Sequence, residues 1–381
     1  MSMRRIIKIL SLVLAVVLFI SASQHYVFNI DRPDILRIEG FRKEKNNSLD
    51  VILLGSSEIY ADFSSAYAYG QFGFTSYPYS VASAPVTLWK TMLEDALAHQ
   101  HNPQLIVVET NGAVYYSDNK LHANAPMHYV IDEMPLGKNK LQAIFKVLTD
   151  YNESKASFLF PIIKNHSNWQ DINALNNVYK NTIALERQGF ALLRGAVQMP
   201  AIARPEEEIR NIKNDFSEVA MNEEVEASFR CFLDYCREKK LNVLFVGFPH
   251  QITVKDDWVY QNYQRTNAIE NFVKNNGFPY LNMERLVDEI GIDPEHDFYN
   301  ESHLNIYGQK KLTEYLSTYI IEHYKLIPKD LEQTQKSEWE ASADAYSRFY
   351  QYIEKQIANG AKKEISETAE LIDALESLQA S

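Results

Sequence analysis

The stretch that decides the fold is Asp50-Val-Ile-Leu-Leu-Gly55-Ser56-Ser57-Glu58. Its apolar run, rich in β-formers and closed by a glycine, predicts a buried strand over 50–54 that gives way to a turn and a helix. Working outward, residues 86–99 carry a helical pattern and residues 104–109 repeat the short apolar strand. The alternation returns as a strand over 242–247, a helix over 257–275, a short strand over 279–282 and a closing helix over 305–323. Short apolar strands alternating with helices predict an α/β domain on a parallel sheet, spanning residues 49–330. The mostly polar, helical segment of about 135–235 reads as an insertion at the carboxyl ends of the strands. Residues 331–381 read as a helical tail, in which Trp339, Ala343, Tyr346, Tyr350, Ile353 and Ile357 recur at helical spacing as a packing face.

With 381 residues the chain is long enough for one large α/β domain with insertions, and its 46% hydrophobic content supplies a core. Lys and Arg total 38 against 50 Asp and Glu, a net charge of −12. That balance argues against a general nucleic-acid binder, because phosphate binding draws on clustered cations. Cys231 and Cys236 lie in a helix-like stretch at a spacing that suits neither a local disulfide nor a metal site.

Arg4, Arg5 and Lys8 precede a nearly unbroken apolar run over 9–22. This order predicts export, with the basic flank cytoplasmic and the remainder of the chain translocated. The run is shorter than the roughly 20 residues of a full span, but Ile6 and Ile7 extend it across Lys8, whose ammonium can snorkel to the interface. Ser21 and Ser23 also suit a signal-peptidase site before Gln24. Residues 1–24 are therefore expected to be a single-pass signal anchor, or a cleaved signal that leaves a secreted protein, followed by a connector over 25–48.

Chemistry is expected at both ends of the sheet domain. Ser56 and Ser57 follow a buried strand directly, where a serine is held at the carboxyl edge with backbone N–H groups nearby to receive an oxyanion. Taken alone, either serine reads first as a helix N-cap. Near the far end, His303 stands in the polar loop Asp297-Phe-Tyr-Asn-Glu-Ser-His303, just before the closing helix, and as neutral imidazole can accept a serine proton.

Gly55-Ser56-Ser57 and Asn300-Glu-Ser-His303 resemble, in order and spacing, the first and last blocks of the SGNH/GDSL esterase superfamily. The resemblance is greatest to the membrane-anchored, surface-facing branch that includes the D-alanyl-lipoteichoic-acid transfer proteins, where G-S-S-E also occurs. It implies a flavodoxin-like three-layer α/β/α sandwich, with Ser57 as nucleophile and His303 as base. It further implies an oxyanion hole from the N–H groups of Ser57 and Ser83 and the side chain of Asn111. Ser83 stands where the family has glycine, and Asn111 reads equally as a turn residue before Gly112.

Asn300 occupies the place of the family's Asp. An amide can orient the histidine but carries no charge, and in serine proteases the corresponding change lowers turnover about ten-thousandfold. Three readings follow: Asp297 or Glu301 supplies the charge, a Ser–His dyad suffices, or the enzyme is degenerate. Glu58 is a further source of charge, or else faces solvent. His166 and Trp169 in the insertion and His250 after the third predicted strand are substrate-groove candidates, with ordinary packing or loop roles as the alternative.

The expectation is an extracytoplasmic serine esterase or O-acyltransferase acting on acyl esters of a cell-envelope glycan or teichoic-acid-like polymer. The alternative is a degenerate relative that binds a membrane-bound O-acyltransferase. No metal or organic cofactor is implied.

Overall fold

Five short strands carry the molecule: β1 (Val51–Gly55), β2 (Ser76–Ser80), β3 (Leu105–Glu109), β4 (Val243–Gly247) and β5 (Tyr280–Asn282). In the computed structural model, which describes residues 3–23, 32–115, 124–147, 154–160, 163 and 192–358, they pair in parallel in the order β2-β1-β3-β4-β5. This is the flavodoxin-like order of doubly wound sheets, in which ligands bind beyond the carboxyl ends of the strands. The four strands expected over 50–54, 104–109, 242–247 and 279–282 are present. β2 is not among them, because its sequence Ser-Tyr-Pro-Tyr-Ser has neither an apolar run nor an uninterrupted set of N–H donors. It forms at the edge of the sheet, where Pro78 is tolerated because only one side of the strand must pair.

Alternate residues of each strand face opposite layers. On one face Ile52, Leu54, Ile106, Val108 and Phe245 pack with Trp89 of helix Val86–His99 and with Phe229 and Phe232 of helix Glu223–Glu238. On the other, Val51, Leu53, Val107 and Val246 meet Ile59, Phe63 and, from helix Ile306–Tyr324, Leu312 and Leu316. The last helix of the segment expected as an insertion, Glu223–Glu238, belongs to the layer that covers the sheet. A full strip of apolar side chains (Val225, Phe229, Phe232, Leu233, Cys236) commits it to the core.

The tail forms helix Gln333–Ala358, which buries Trp339, Tyr346, Phe349 and Ile353. The Arg194 guanidinium lies 4.2 Å over the Trp339 ring. At the other end Met3–Ser23 is a helix with exposed Leu10, Leu12, Leu14 and Phe19. Among the described residues no helix is long and apolar enough to cross a membrane.

Candidate active site

The first strand delivers Ser57 to the carboxyl edge of the sheet through a tight approach. A Cβ on Gly55 would stand 2.7 Å from Glu109 Oε2 and 2.9 Å from Glu109 Cβ, so only glycine lets β1 pass this close to the end of β3. Ser56 then donates from its N–H and its hydroxyl to Glu109 Oε2, both at 2.8 Å. Its side chain makes no helix cap. Burial, with Glu58 nearby, pushes Glu109 up to about 8 against these donors. Ser57 opens helix Ser57–Asp62, half-buried, with its hydroxyl 2.8 Å from His303 Nε2.

His303 is set by a hairpin of β6 (Phe298–Asn300) and β7 (His303–Leu304), in which Asn300 pairs with His303. One oxygen organises the turn. Asn300 Oδ1 accepts from Ser302 N at 2.9 Å, His303 N at 2.8 Å and the ring Nδ1 at 3.0 Å. An amide oxygen only accepts, so Nδ1 carries the hydrogen and Nε2 presents its lone pair to Ser57, as a general base requires. The loop is tied down on both sides: Leu304 N donates to Asp62 Oδ1 at 2.8 Å, and Asn305 caps the next helix through Tyr307 N at 2.9 Å. Burial lowers His303 to about 4, and the nearby His250 adds to the shift.

Asn300 rather than an acid therefore holds the base. Asp297, the first candidate for the missing charge, is fully buried but turned the other way. Its carboxylate binds Lys311 Nζ at 2.6 Å, His296 Nδ1 at 2.9 Å and Asp293 N at 2.8 Å. Glu301 is exposed, and its backbone carbonyl takes Gln251 N at 2.9 Å.

Ser83 lines the same cavity as Ser57 and lies in the left-handed region, at φ 53°, the conformation in which glycine is free of strain. That accounts for a glycine being expected there. Asn111 opens the short helix after β3 and is buried, with its Nδ2 donating to Glu58 Oε1 and lying 3.3 Å from His250 Nε2. Glu58 does not face solvent. It is 1% exposed, and its Oε1 also accepts from the Tyr115 hydroxyl at 3.1 Å. Burial raises its pKa, which His250 opposes.

Over these groups lies a cavity of about 340 Å³ whose walls include Ser57, Glu58, Ser83, Tyr115, Trp258 and His303. Trp258 is 48% exposed, with its ring stacked on Tyr115 at 5.4 Å and 9°. His250, expected in a groove, is buried behind this cavity between Glu58 and Glu284. It borders instead a neighbouring cavity of about 370 Å³. His166 and Trp169 lie outside the described residues.

Glu284, Tyr115 and Trp258 went unnoticed in the sequence. Glu284 shares the signal that picked out Ser57 and Asn111, since it follows the end of a predicted strand by two residues. Among the described residues no group of His, Cys, Asp and Glu is arranged to hold a metal ion. The assembled groups can perform nucleophilic acyl transfer: a serine on its base, N–H donors at a helix start, and an open cavity above them. Compared with known proteins, the chain matches no family model and no curated protein sequence.

Proposed function

We propose that the protein is an extracytoplasmic serine esterase or O-acyltransferase that acts on short acyl esters of a cell-envelope glycan. The observation that carries this reading is the 2.8 Å contact between Ser57 Oγ and His303 Nε2. In the proposed reaction Ser57 Oγ attacks the ester carbonyl while its proton passes to His303 Nε2, and the oxyanion rests on the N–H groups of Ser57 and Ser83 and the amide of Asn111. The ester C–O bond then breaks, His303 returns the proton to the departing alkoxide, and the acyl group stays on Ser57. Water or a sugar hydroxyl gives its proton to His303 as it attacks the acyl carbon, the bond from that carbon to Ser57 Oγ breaks, and His303 returns the proton to Oγ. The resemblance to the SGNH/GDSL esterases supports the same roles.

The cavity supports a narrower substrate class. No aliphatic side chain stands among its described walls, which suits an acyl group of a few carbons rather than a lipid chain. No Lys or Arg stands there either, and Glu58 does. A neutral glycan fits that lining better than a polyphosphate such as a teichoic acid. The free face of Trp258 offers a platform for a sugar ring. The apolar, basic-flanked amino-terminal helix supports a place at the outer membrane face, as anchor or as export signal.

One observation favours a second reading. With Asn300 on Nδ1 and a pKa of about 4, His303 accepts a proton less readily than a free imidazole by roughly 3 kcal/mol. A degenerate site serving as a docking partner of a membrane-bound O-acyltransferase accords with that weakness. Labelling of the full chain with a fluorophosphonate decides between them. Catalysis requires covalent labelling at Ser57, and at least a thousandfold loss of acetyl-ester turnover in Ser57→Ala, on the order seen when a triad nucleophile is removed. An unlabelled, folded chain that still captures the acyltransferase as Ser57→Ala establishes the docking role instead.

A further inference from the structure

A chain of hydrogen bonds crosses the carboxyl edge of the sheet, beneath Ser57, linking residues that follow four different strands. After β3, Asn111 Nδ2 donates to Glu58 Oε1; Glu58 follows β1. Glu58 Oε1 lies 3.1 Å from Nε2 of His250, which follows β4. His250 Nδ1 lies 2.5 Å from Glu284 Oε1, and its backbone N–H donates to Glu284 Oε2 at 3.0 Å, beyond β5. All four side chains are at least nine-tenths buried. We propose that Glu58, His250 and Glu284 form a positioning relay that sets Asn111 as the side-chain donor of the oxyanion hole. The proposal rests on the acyl-transfer reading above.

The logic lies in the two hydrogens of Asn111 Nδ2. One goes to Glu58. Nδ2 lies 3.3 Å from His250 Nε2, so the other would be drawn there if that nitrogen held a lone pair. An imidazolium carries a hydrogen at Nε2 instead, directed at Glu58 Oε1 or at the Tyr115 oxygen 2.9 Å away. The second hydrogen of Asn111, whose chain neighbour Gly112 lines the cavity, is then not drawn to the ring. The groups facing the ring are Glu58, Asn111 and Tyr115 on one side and Glu284 on the other, with His303 within electrostatic reach. Burial alone favours the neutral ring, but Tyr115, Glu284 and Glu58 outweigh it and hold the proton on His250. That buried cation disfavours a charge on His303.

A double-mutant cycle on the full chain tests the relay, with 4-nitrophenyl acetate as substrate. His250→Gln and Asn111→Ala are each expected to lower kcat about a hundredfold, the usual effect of losing one oxyanion donor. KM should change less than about threefold, and the double variant should lose no more than the worse single one. In His250→Gln the His303 ring, followed by NMR, should titrate above its value of about 4. Losses that multiply in the double variant, or a His303 titration that does not move, overturn the relay. If His250→Gln does not fold, the nitrogen shifts of His250 in the unmodified chain decide: an imidazolium at pH 8 supports the relay and a neutral ring at pH 7 defeats it. Absence of Ser57 labelling in the unmodified chain is a separate failure, of the acyl-transfer reading, and the relay's role falls with it.

Discussion

His303 and His250 stand at the carboxyl edge of the same sheet and meet opposite surroundings. His303 is half-buried, faces the cavity, bonds an amide at Nδ1 and a hydroxyl at Nε2, and is lowered to about 4. His250 is buried, lies between two carboxylates, and is raised although burial alone would lower it. His303 is thereby held toward the neutral form, with Nε2 presented to Ser57, and His250 toward the cation. The carboxylate that a triad would place behind the base is found behind the other histidine. What distinguishes the two roles is partner chemistry: His303 bonds an amide and a hydroxyl, and His250 lies between two carboxylates.

The largest effect is expected from making His250 resemble His303. Glu284→Gln keeps an acceptor for only one of the two N–H groups that Glu284 now receives and removes the charge opposite a buried imidazolium. Breaking a buried pair from one side costs about 3–5 kcal/mol. The sign with pH follows from the raised folded value. His250 stabilises the fold fully below its unfolded pKa of about 6.5 and ceases to do so as pH rises through its folded one. Urea unfolding should therefore show a larger gap between wild type and Glu284→Gln at pH 6 than at pH 9. Equal gaps would mean that His250 is neutral and that the contrast between the rings is false.

The converse change makes His303 resemble His250. Asn300→Asp retains an oxygen for all three donors that Oδ1 now receives and adds a charge behind the base. A gain of about a hundredfold in kcat/KM on an acetyl ester is expected, part of the ten-thousandfold that separates Asp from Asn in serine proteases. The acid limb of the profile should move up from near 4, because the imidazolium is now stabilised. A rate unchanged from pH 5 to 8 would show that proton transfer to His303 does not limit turnover.

How far this contrast was legible in the sequence depended on the kind of signal. β1, β3 and β4 announce themselves because strands buried on both faces are runs of apolar residues. β2 hides because an edge strand can accept Pro78 and serines. Ser57 and His303 were legible from position, one after a strand and the other before a helix. His250 was visible as a strand-end histidine, but its meaning depends on Glu58 and Glu284, which lie 192 and 34 residues away along the chain. No local pattern connects such partners; the sheet order does, by setting β1, β3, β4 and β5 side by side. The same limitation explains Asp297, which is near His303 in sequence yet points away from it.

Asp297 supplies the smallest expected effect and the sharpest control on the base. Asp297→Asn removes a carboxylate six residues before His303, so sequence proximity alone would assign it the charge missing from Asn300. The structure gives that carboxylate other work. It joins Lys311 at 2.6 Å, the His296 ring at 2.9 Å and Asp293 N at 2.8 Å, which fastens the loop to the closing helix. Lys311 is 38% exposed, so water screens the loss of its partner, and the variant should lose about 1–2 kcal/mol of stability. Acetyl-ester kcat should stay within about threefold of wild type at a temperature where both are folded. A hundredfold fall in kcat at unchanged KM would show that Asp297 reaches His303 during the reaction. The two histidines would then differ in when they meet their carboxylates, not in whether they do.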